Sequence, residues 1–300
     1  VLISSQVTDP VPSRPVLRSR ARTCRTAVTA ALLLSACAPV SNLLNPAGPH
    51  FEGRYAAPTV GRPAAAVAGP IRLVSFNIKH SRAIDRALAV LAADSLRDAD
   101  VIALQEMDEV GVERIARTLG LNYAYYPASI HPADGKYFGP AVLSRWPLER
   151  SWKVLLPHGG WTRGQRRTAT AAVVRVGMTP LLVYAVHLET PVQITDRERR
   201  DQVTAILRDA VVHRGPVVIA GDFNSQSIGG FIRRHGYRWP TEHVGRTVSW
   251  FSWDHIFTRG LAPARTASAG VIADVQGASD HHPVWAVVAS PSATSVAARP

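Results

Sequence analysis

Pro216-Val217-Val218-Ile219-Ala220-Gly221-Asp222-Phe223-Asn224 joins a short apolar run to a carboxylate and an amide two residues apart. The run reads as a buried strand, and alternation along an extended chain puts Asp222 and Asn224 on one face, where both can point into one pocket. Such a pair at the exit of a buried strand suggests a divalent-metal or phosphate site. The arrangement recurs. Asn77 follows Arg72-Leu73-Val74-Ser75-Phe76, Glu106 follows Val101-Ile102-Ala103-Leu104-Gln105, and His187 follows Leu181-Leu182-Val183-Tyr184-Ala185-Val186. Two more acidic clusters, Asp254-His255 and Asp280-His281-His282, lie downstream.

Strand-like runs fall at 71–77, 100–105, 139–145, 168–176, 180–188, 216–220, 254–258 and 283–289, with helical stretches near 82–97, 111–119 and 195–213. The last helix rests on Thr195 as an N-cap and on Val203, Ile206, Leu207 and Ala210 at helical spacing. Interspersed helices and strands predict one α/β domain with mixed sheets. Residues 226–253 read as an insertion or long loop with Arg233, Arg234, His235, Trp239, His243, Arg246, Trp250, Phe251 and Trp253. Aromatics interleaved with Arg suit nucleobase stacking and phosphate contact. They equally suit a membrane-facing loop, or Trp side chains packed as core beneath it.

Hydrophobic content of 46% with 7 Trp is ample for a sizeable core. The 34 Lys+Arg exceed the 22 Asp+Glu by a formal +12, and only Lys79, Lys136 and Lys153 are lysines. A basic surface favours a polyanion or an anionic membrane, although genomic base bias also produces an Arg- and Ala-rich chain. The only cysteines are Cys24 and Cys37, both N-terminal to the domain. Nucleophilic cysteine chemistry and zinc–cysteine sites are therefore excluded from it. No run reaches the roughly 18 apolar residues of a spanning helix.

Arg14, Arg18, Arg20, Arg22 and Arg25 precede the apolar run Ala27 to Ala36, the pattern of an export signal. Leu34-Ser35-Ala36-Cys37 resembles the bacterial lipobox. The expectation is a signal peptide over 1–37 with lipidation at Cys37, giving an exported protein lipid-anchored to a bacterial cell-envelope membrane. A frayed helix with a chance cysteine is the alternative. Residues 38–69, rich in Pro, Ala and Gly, read as a tether, 70–290 as the folded domain, and 291–300 as a disordered tail. Two or three acyl chains on Cys37 would suffice for stable anchoring.

Ser75-Phe76-Asn77, Leu104-Gln105-Glu106, Ala141-Val142-Leu143-Ser144-Arg145, His187-Leu188, Gly221-Asp222-Phe223-Asn224, Asp254-His255-Ile256-Phe257 and Ser279-Asp280-His281 follow the order of a known motif series. Over roughly residues 70–290 the chain resembles the endonuclease/exonuclease/phosphatase superfamily, which includes deoxyribonuclease, abasic-site endonuclease, bacterial sphingomyelinase and inositol-polyphosphate phosphatase. The resemblance implies an α/β fold in four layers: two mixed β-sheets packed face to face as a sandwich, helices on the outer faces, the site at one edge. It implies Mg2+, or Mn2+, held by Asn77, Glu106 and Asp280, a sparse oxygen set of the kind Mg2+ takes. It assigns His281 as general base on water and Asp254 as the carboxylate that orients its imidazole. Asp222 and Asn224 would orient the water and bind phosphoryl oxygens, and His187 would donate to the transition-state oxyanion. Arg167 stands where many members carry an Arg at a strand start and can clamp a phosphate oxygen bidentately, with Arg166 as the alternative.

His255 and His282 fall outside the motif positions and read as structural. Pro140 departs from the family, occupying a position where relatives often carry Asn; it removes a backbone donor, so no amide role carries over. The resemblance thus implies a metal-dependent hydrolase that cleaves a phosphate ester by water attack, a nuclease or general phosphodiesterase; the expected state is a monomer. A phospholipid or sphingomyelin phosphodiesterase at the membrane surface is the alternative substrate reading. A catalytically silent lipoprotein that binds an envelope partner is a different class of reading. Against it, Asn77, Glu106, His187, Asp222, Asn224, Asp254, Asp280 and His281 are all present.

Overall fold

Alternation along Leu181-Leu182-Val183-Tyr184-Ala185-Val186 sends two sets of side chains to opposite sides of one strand. Each set lands in a different core of the computed structural model, which describes residues 40–57, 69–93, 95–264 and 268–290. The first half of the chain carries β1 (Ser41–Asn42), β2 (Phe51–Gly53), β3 (Ile71–Asn77), α1 (Ile84–Leu91), β4 (Val101–Met107), α2 (Glu109–Leu119), β5 (Asn122–Tyr125), β6 (Ser129–Ile130) and β7 (Tyr137–Ser144). The second half carries β8 (Leu148–Gly159), β9 (Arg166–Val176), β10 (Thr179–His187), α3 (Asp196–Ala210), β11 (Val217–Asp222), α4 (Ile228–Arg234), β12 (Asp254–Arg259), β13 (Ala269–Val271) and β14 (Val284–Val288).

Among the described residues these strands form two mixed sheets. One runs β1-β6-β7-β4-β3-β14-β13, with β5 joining β2 to β7; the other runs β12-β11-β10-β9-β8. Leu181, Val183 and Ala185 meet Leu73, Val101 and Val284 between the sheets. Leu182, Tyr184 and Val186 face Val203, Ile206 and Leu207 of α3 on one outer face. On the other, Val74, Phe76, Ile102 and Leu104 pack under Val90 of α1 and Val112 and Ile115 of α2. Each fully buried side chain of this size is worth roughly 1.5–3 kcal/mol, which holds the expected four layers together.

Local signals set the helix ends. Thr195 and Glu198 form a reciprocal capping box at the start of α3, as the spacing predicts. Asp108 Oδ1 accepts from Gly111 N at 2.6 Å to start α2, and Gly120, at φ 63°, ends it. The predicted helix 82–97 is shorter in fact, because after Leu91 the chain turns to bury Leu96. No helix among the described residues is long and apolar enough to cross a membrane.

The tether reading fails for residues 40–57. β1 pairs with β6 and β2 with β5, Phe51 and Tyr55 pack on the core, and Lys153 Nζ donates to Leu43 O at 2.9 Å and Gly48 O at 3.2 Å. Pro- and Gly-rich composition hid this, since the stabilising partners lie far off in sequence. The expected signal peptide, Cys37, residues 38–39 and 58–68 of the tether and the 291–300 tail lie outside the described residues. The 226–253 stretch is likewise not all loop. It contains α4, whose Ile228 and Ile232 are buried, and Trp239 packs at 4.9 Å from the His255 ring and 5.4 Å from Phe257. Trp250 and Phe251 remain exposed.

Gly221 sits opposite Val186 in the parallel β10/β11 register, and a Cβ there would lie 1.9 Å from Val186 O. Neither strand can give without breaking the ladder. Gly221→Ala should therefore cost at least the ~3 kcal/mol at the top of ordinary overpacking, lowering the calorimetric Tm by roughly 6–12 °C.

His255 is buried among Phe223, Trp239 and Phe257, and the polar groups beside its ring include the Asp254 carboxylate and the backbone at Ser225 and Ser252. Burial, against the pull of Asp254, lowers its pKa from the ordinary 6.5 to about 4. Between those values the unfolded chain takes up a proton that the folded chain refuses, so stability falls as pH drops through the window. The loss attributable to this ring approaches about 3 kcal/mol. Urea unfolding at pH 7 and pH 4 should show a smaller acid loss in His255→Phe than in the parent protein by about that amount.

Candidate active site

Parallel pairing of β3 with β4 and of β10 with β11 brings their C-terminal ends to one edge of the sandwich. Register aligns Asn77 with Gln105, His187 with Asp222, and Asp222 with Asp254 across the antiparallel β11/β12 pair. Glu106 reaches the same edge through a bulge. The β4/β7 register shifts between Leu104 and Met107, and Glu106 adopts φ 59°, a conformation that costs about 1–3 kcal/mol and clusters at functional sites. Lys79, His80, Ser81 and Asn224 share this left-handed geometry.

Asn77 Nδ2 donates to Glu106 Oε1 and to Asp222 Oδ2, both at 3.2 Å. His187 Nε2 lies 3.5 Å from Asp222 Oδ2 and 4.0 Å from Glu106 Oε1. His281 Nδ1 is 2.9 Å from Asp254 Oδ2, and its Nε2 faces Asp222 Oδ2 at 3.8 Å. Ser279 pins this loop to β3: its Oγ donates to Asn77 O at 2.7 Å and accepts from His281 N at 3.1 Å. Asp222, Asp254 and His281 form a buried group whose ligand atoms lie within 4.8 Å of one another.

Burial dominates the electrostatics. It pushes the Asp222 carboxyl up to about 7, with Asp254 adding to the shift and His281 opposing it. On His281 burial works against the charge, but Asp254 and then Asp222 outweigh it and raise the imidazole to about 10. His187 is held well below its usual range by burial and by the Arg167 guanidinium.

The proposed roles of two residues change with the geometry. Asn224 does not share a face with Asp222 by strand alternation, because β11 ends at Asp222. Instead Asn224 N donates to Asp222 Oδ1 at 2.8 Å and Asn224 Nδ2 to Leu188 O at 3.0 Å, so this residue steadies the Asp222 turn. Arg167 is buried and its fork is engaged by Glu189, at 3.1 Å from Nε and 3.0 Å from Nη2. It is not free to clamp a phosphate. Its Nη1 stands 3.1 Å from His187 Nδ1; since a guanidinium only donates, His187 Nδ1 must accept, and the ring proton sits on Nε2 facing the cleft. Arg166 donates to Leu156 O instead. Arg167→Met should therefore lower kcat about tenfold or more with little change in KM, whereas loss of a phosphate clamp would raise KM. It should also destabilise the fold by about 3–5 kcal/mol, since Glu189 is left buried without its partner.

Glu189, Lys79 and His80 carry no expectation from sequence, and Ser279 enters there only within the Ser279-Asp280-His281 motif. For Glu189 the only signal was a carboxylate two residues past the end of β10 at His187. Lys79 Nζ holds Asp280 Oδ2 at 2.9 Å, and His80 Nε2 lies 3.3 Å from Glu106 Oε2. Among the described residues the partly buried Glu106 carboxylate thus meets an amide and two imidazoles but no Lys or Arg. An acidic, oxygen-rich cleft short of full positive charge fits a hard divalent cation. Asn77 and Glu106 meet directly, while Asp280 is half-exposed on the Ser279 loop and paired with Lys79.

The model of the Endonuclease/Exonuclease/phosphatase family matches residues 74–281. A comparison with curated proteins gave no match. Among solved structures, the chain is similar to an endonuclease/exonuclease/phosphatase from Beutenbergia cavernae, with 22% identity over 75% of this chain and 72% of that one and a TM-score of 0.61. It is similar to D. rerio TDP2 complexed with single strand DNA product, at 19% identity over 73% and 98%, TM-score 0.54. It is also similar to the mannosyl-6-phosphatase Bt3783 of Bacteroides thetaiotaomicron, at 18% identity over 73% and 99%, TM-score 0.55. At these identities the likenesses establish the fold.

Proposed function

The chain belongs to the endonuclease/exonuclease/phosphatase family, and from that premise we propose that it is a divalent-metal-dependent phosphodiesterase that cleaves nucleic acid or a related phosphodiester by water attack. The observation that carries this reading is the facing pair Asp222 Oδ2 and His281 Nε2, 3.8 Å apart, with His281 held from behind by Asp254. A water to one side of this pair can hydrogen-bond to both atoms. Its proton passes to the pair, which titrates as a unit, while its oxygen attacks phosphorus in line and the opposite P–O bond breaks. His187 Nε2–H, fixed by Arg167, donates to the phosphoryl oxygen that gains charge. Bound Mg2+, or Mn2+, on Glu106 and Asn77, with Asp280 as the third candidate ligand, would neutralise charge on the phosphoryl group.

Two points support nucleic acid as substrate: the basic chain and the DNA product bound by D. rerio TDP2. A phospholipid head group is the second reading, supported by the lipobox-like Leu34-Ser35-Ala36-Cys37, which would anchor a monomer to a cell-envelope membrane. The test is hydrolysis of DNA, RNA, phospholipid or sphingomyelin vesicles and inositol phosphates, with Mg2+ and with EDTA. Metal-dependent cleavage of one class assigns the substrate. Metal binding without turnover on any of them overturns the reading in favour of a silent binding protein.

A further inference from the structure

The N-terminal end of the described fold lies against a loop with exposed apolar side chains. Val40 N donates to Arg163 O at 3.1 Å and Asn42 Nδ2 to Gly164 O at 2.8 Å. On this loop Trp161 is 67% exposed, and its N donates to Gln193 O at 3.0 Å, next to Val192, which is 75% exposed. Nothing in the catalytic chemistry uses these two side chains. The loop joins β8 to β9, and β9 runs antiparallel to β10, so it lies at the same edge of the sheet as His187 and Asp222.

Cys37 stands only three residues before Val40, a stretch that spans at most about 11 Å. Because residues 40–57 are fastened to the domain and are not a tether, a membrane that holds Cys37 lies close to the Trp161 loop. Tryptophan suits the lipid–water interface, and the chain from Cys37 onward, without the five Arg and one Asp of residues 1–36, keeps a formal net charge of +8 that favours anionic head groups. We propose that the edge bearing Val40, Trp161 and Val192 rests on an anionic phospholipid bilayer, so that the catalytic cleft opens at the membrane-facing edge. This rests on the export reading of the N-terminal segment and not on the identity of the substrate.

The full chain reconstituted into phosphatidylglycerol/phosphatidylcholine vesicles with brominated acyl chains provides the test, read as quenching of tryptophan fluorescence. The parent protein should be quenched, Trp161→Tyr should lose most of that quenching, and Trp250→Tyr should keep it. Hydrolysis of a soluble phosphodiester by Trp161→Tyr at the parent rate separates this question from the fold and from the catalytic reading. Absence of quenching in the parent, undiminished quenching in Trp161→Tyr, or its loss in Trp250→Tyr would each overturn the proposal. The last outcome would instead make the Trp250 loop the membrane face.

Discussion

His281→Ala is expected to lower kcat about 10²–10⁴-fold, the range that a positioned acid–base group contributes. The geometry behind this is one-sided. Asp254 is fully buried, one of its oxygens is bonded to His281 Nδ1, and the other has no hydrogen-bond partner. Its charge therefore bears on the His281 ring, fixing the proton at Nδ1 in the neutral tautomer and leaving Nε2 toward the cleft. Removing the ring also leaves Asp222 and Asp254 buried and facing each other without a cation, so a fall in stability can accompany the alanine variant. His281→Gln, which can still hydrogen-bond to Asp254, serves as the companion. A folded His281→Gln that turns over at the parent rate would show that the Asp222–His281 pair does not handle the proton.

Glu106→Gln should weaken Mg2+ or Mn2+ binding at least about 100-fold, beyond the 10–100-fold typical of residues one shell removed from a metal, with a parallel loss of turnover. The substitution preserves shape, and the new amide oxygen can still accept from Asn77 Nδ2, so Tm should change little. Titration calorimetry reads the affinity directly. Parent-like affinity in Glu106→Gln, combined with loss of affinity in Asp222→Asn, would place the ion instead on the buried Asp222, Asp254 and His281 group.

Much of this architecture was legible from local pattern. The apolar runs ending in Asn77, Glu106, His187 and Asp222 are the strand ends that the fold gathers at one edge, and Thr195 caps its helix as its spacing predicts. The elements that local pattern does not mark are held by distant partners. β8 is half-exposed and begins Leu148-Glu149-Arg150-Ser151, a polar sequence that hides its pairing with β9. α4 and Trp239 were hidden in a stretch of Arg and aromatics whose core-facing members could not be told from its exposed ones.

Which residues stand at strand ends, and which chemical groups they bring, follows from local pattern, because strand periodicity and apolar burial act over a few neighbouring residues. How those groups are used is a property of the folded chain. Glu189 takes the fork of Arg167, the Glu106 bulge turns a carboxylate into the cleft, and residues 40–57 become part of the sheets. Each depends on partners well removed in the chain or on a backbone conformation that the surrounding sheet imposes, and such pairings follow from chain topology, which local pattern does not encode.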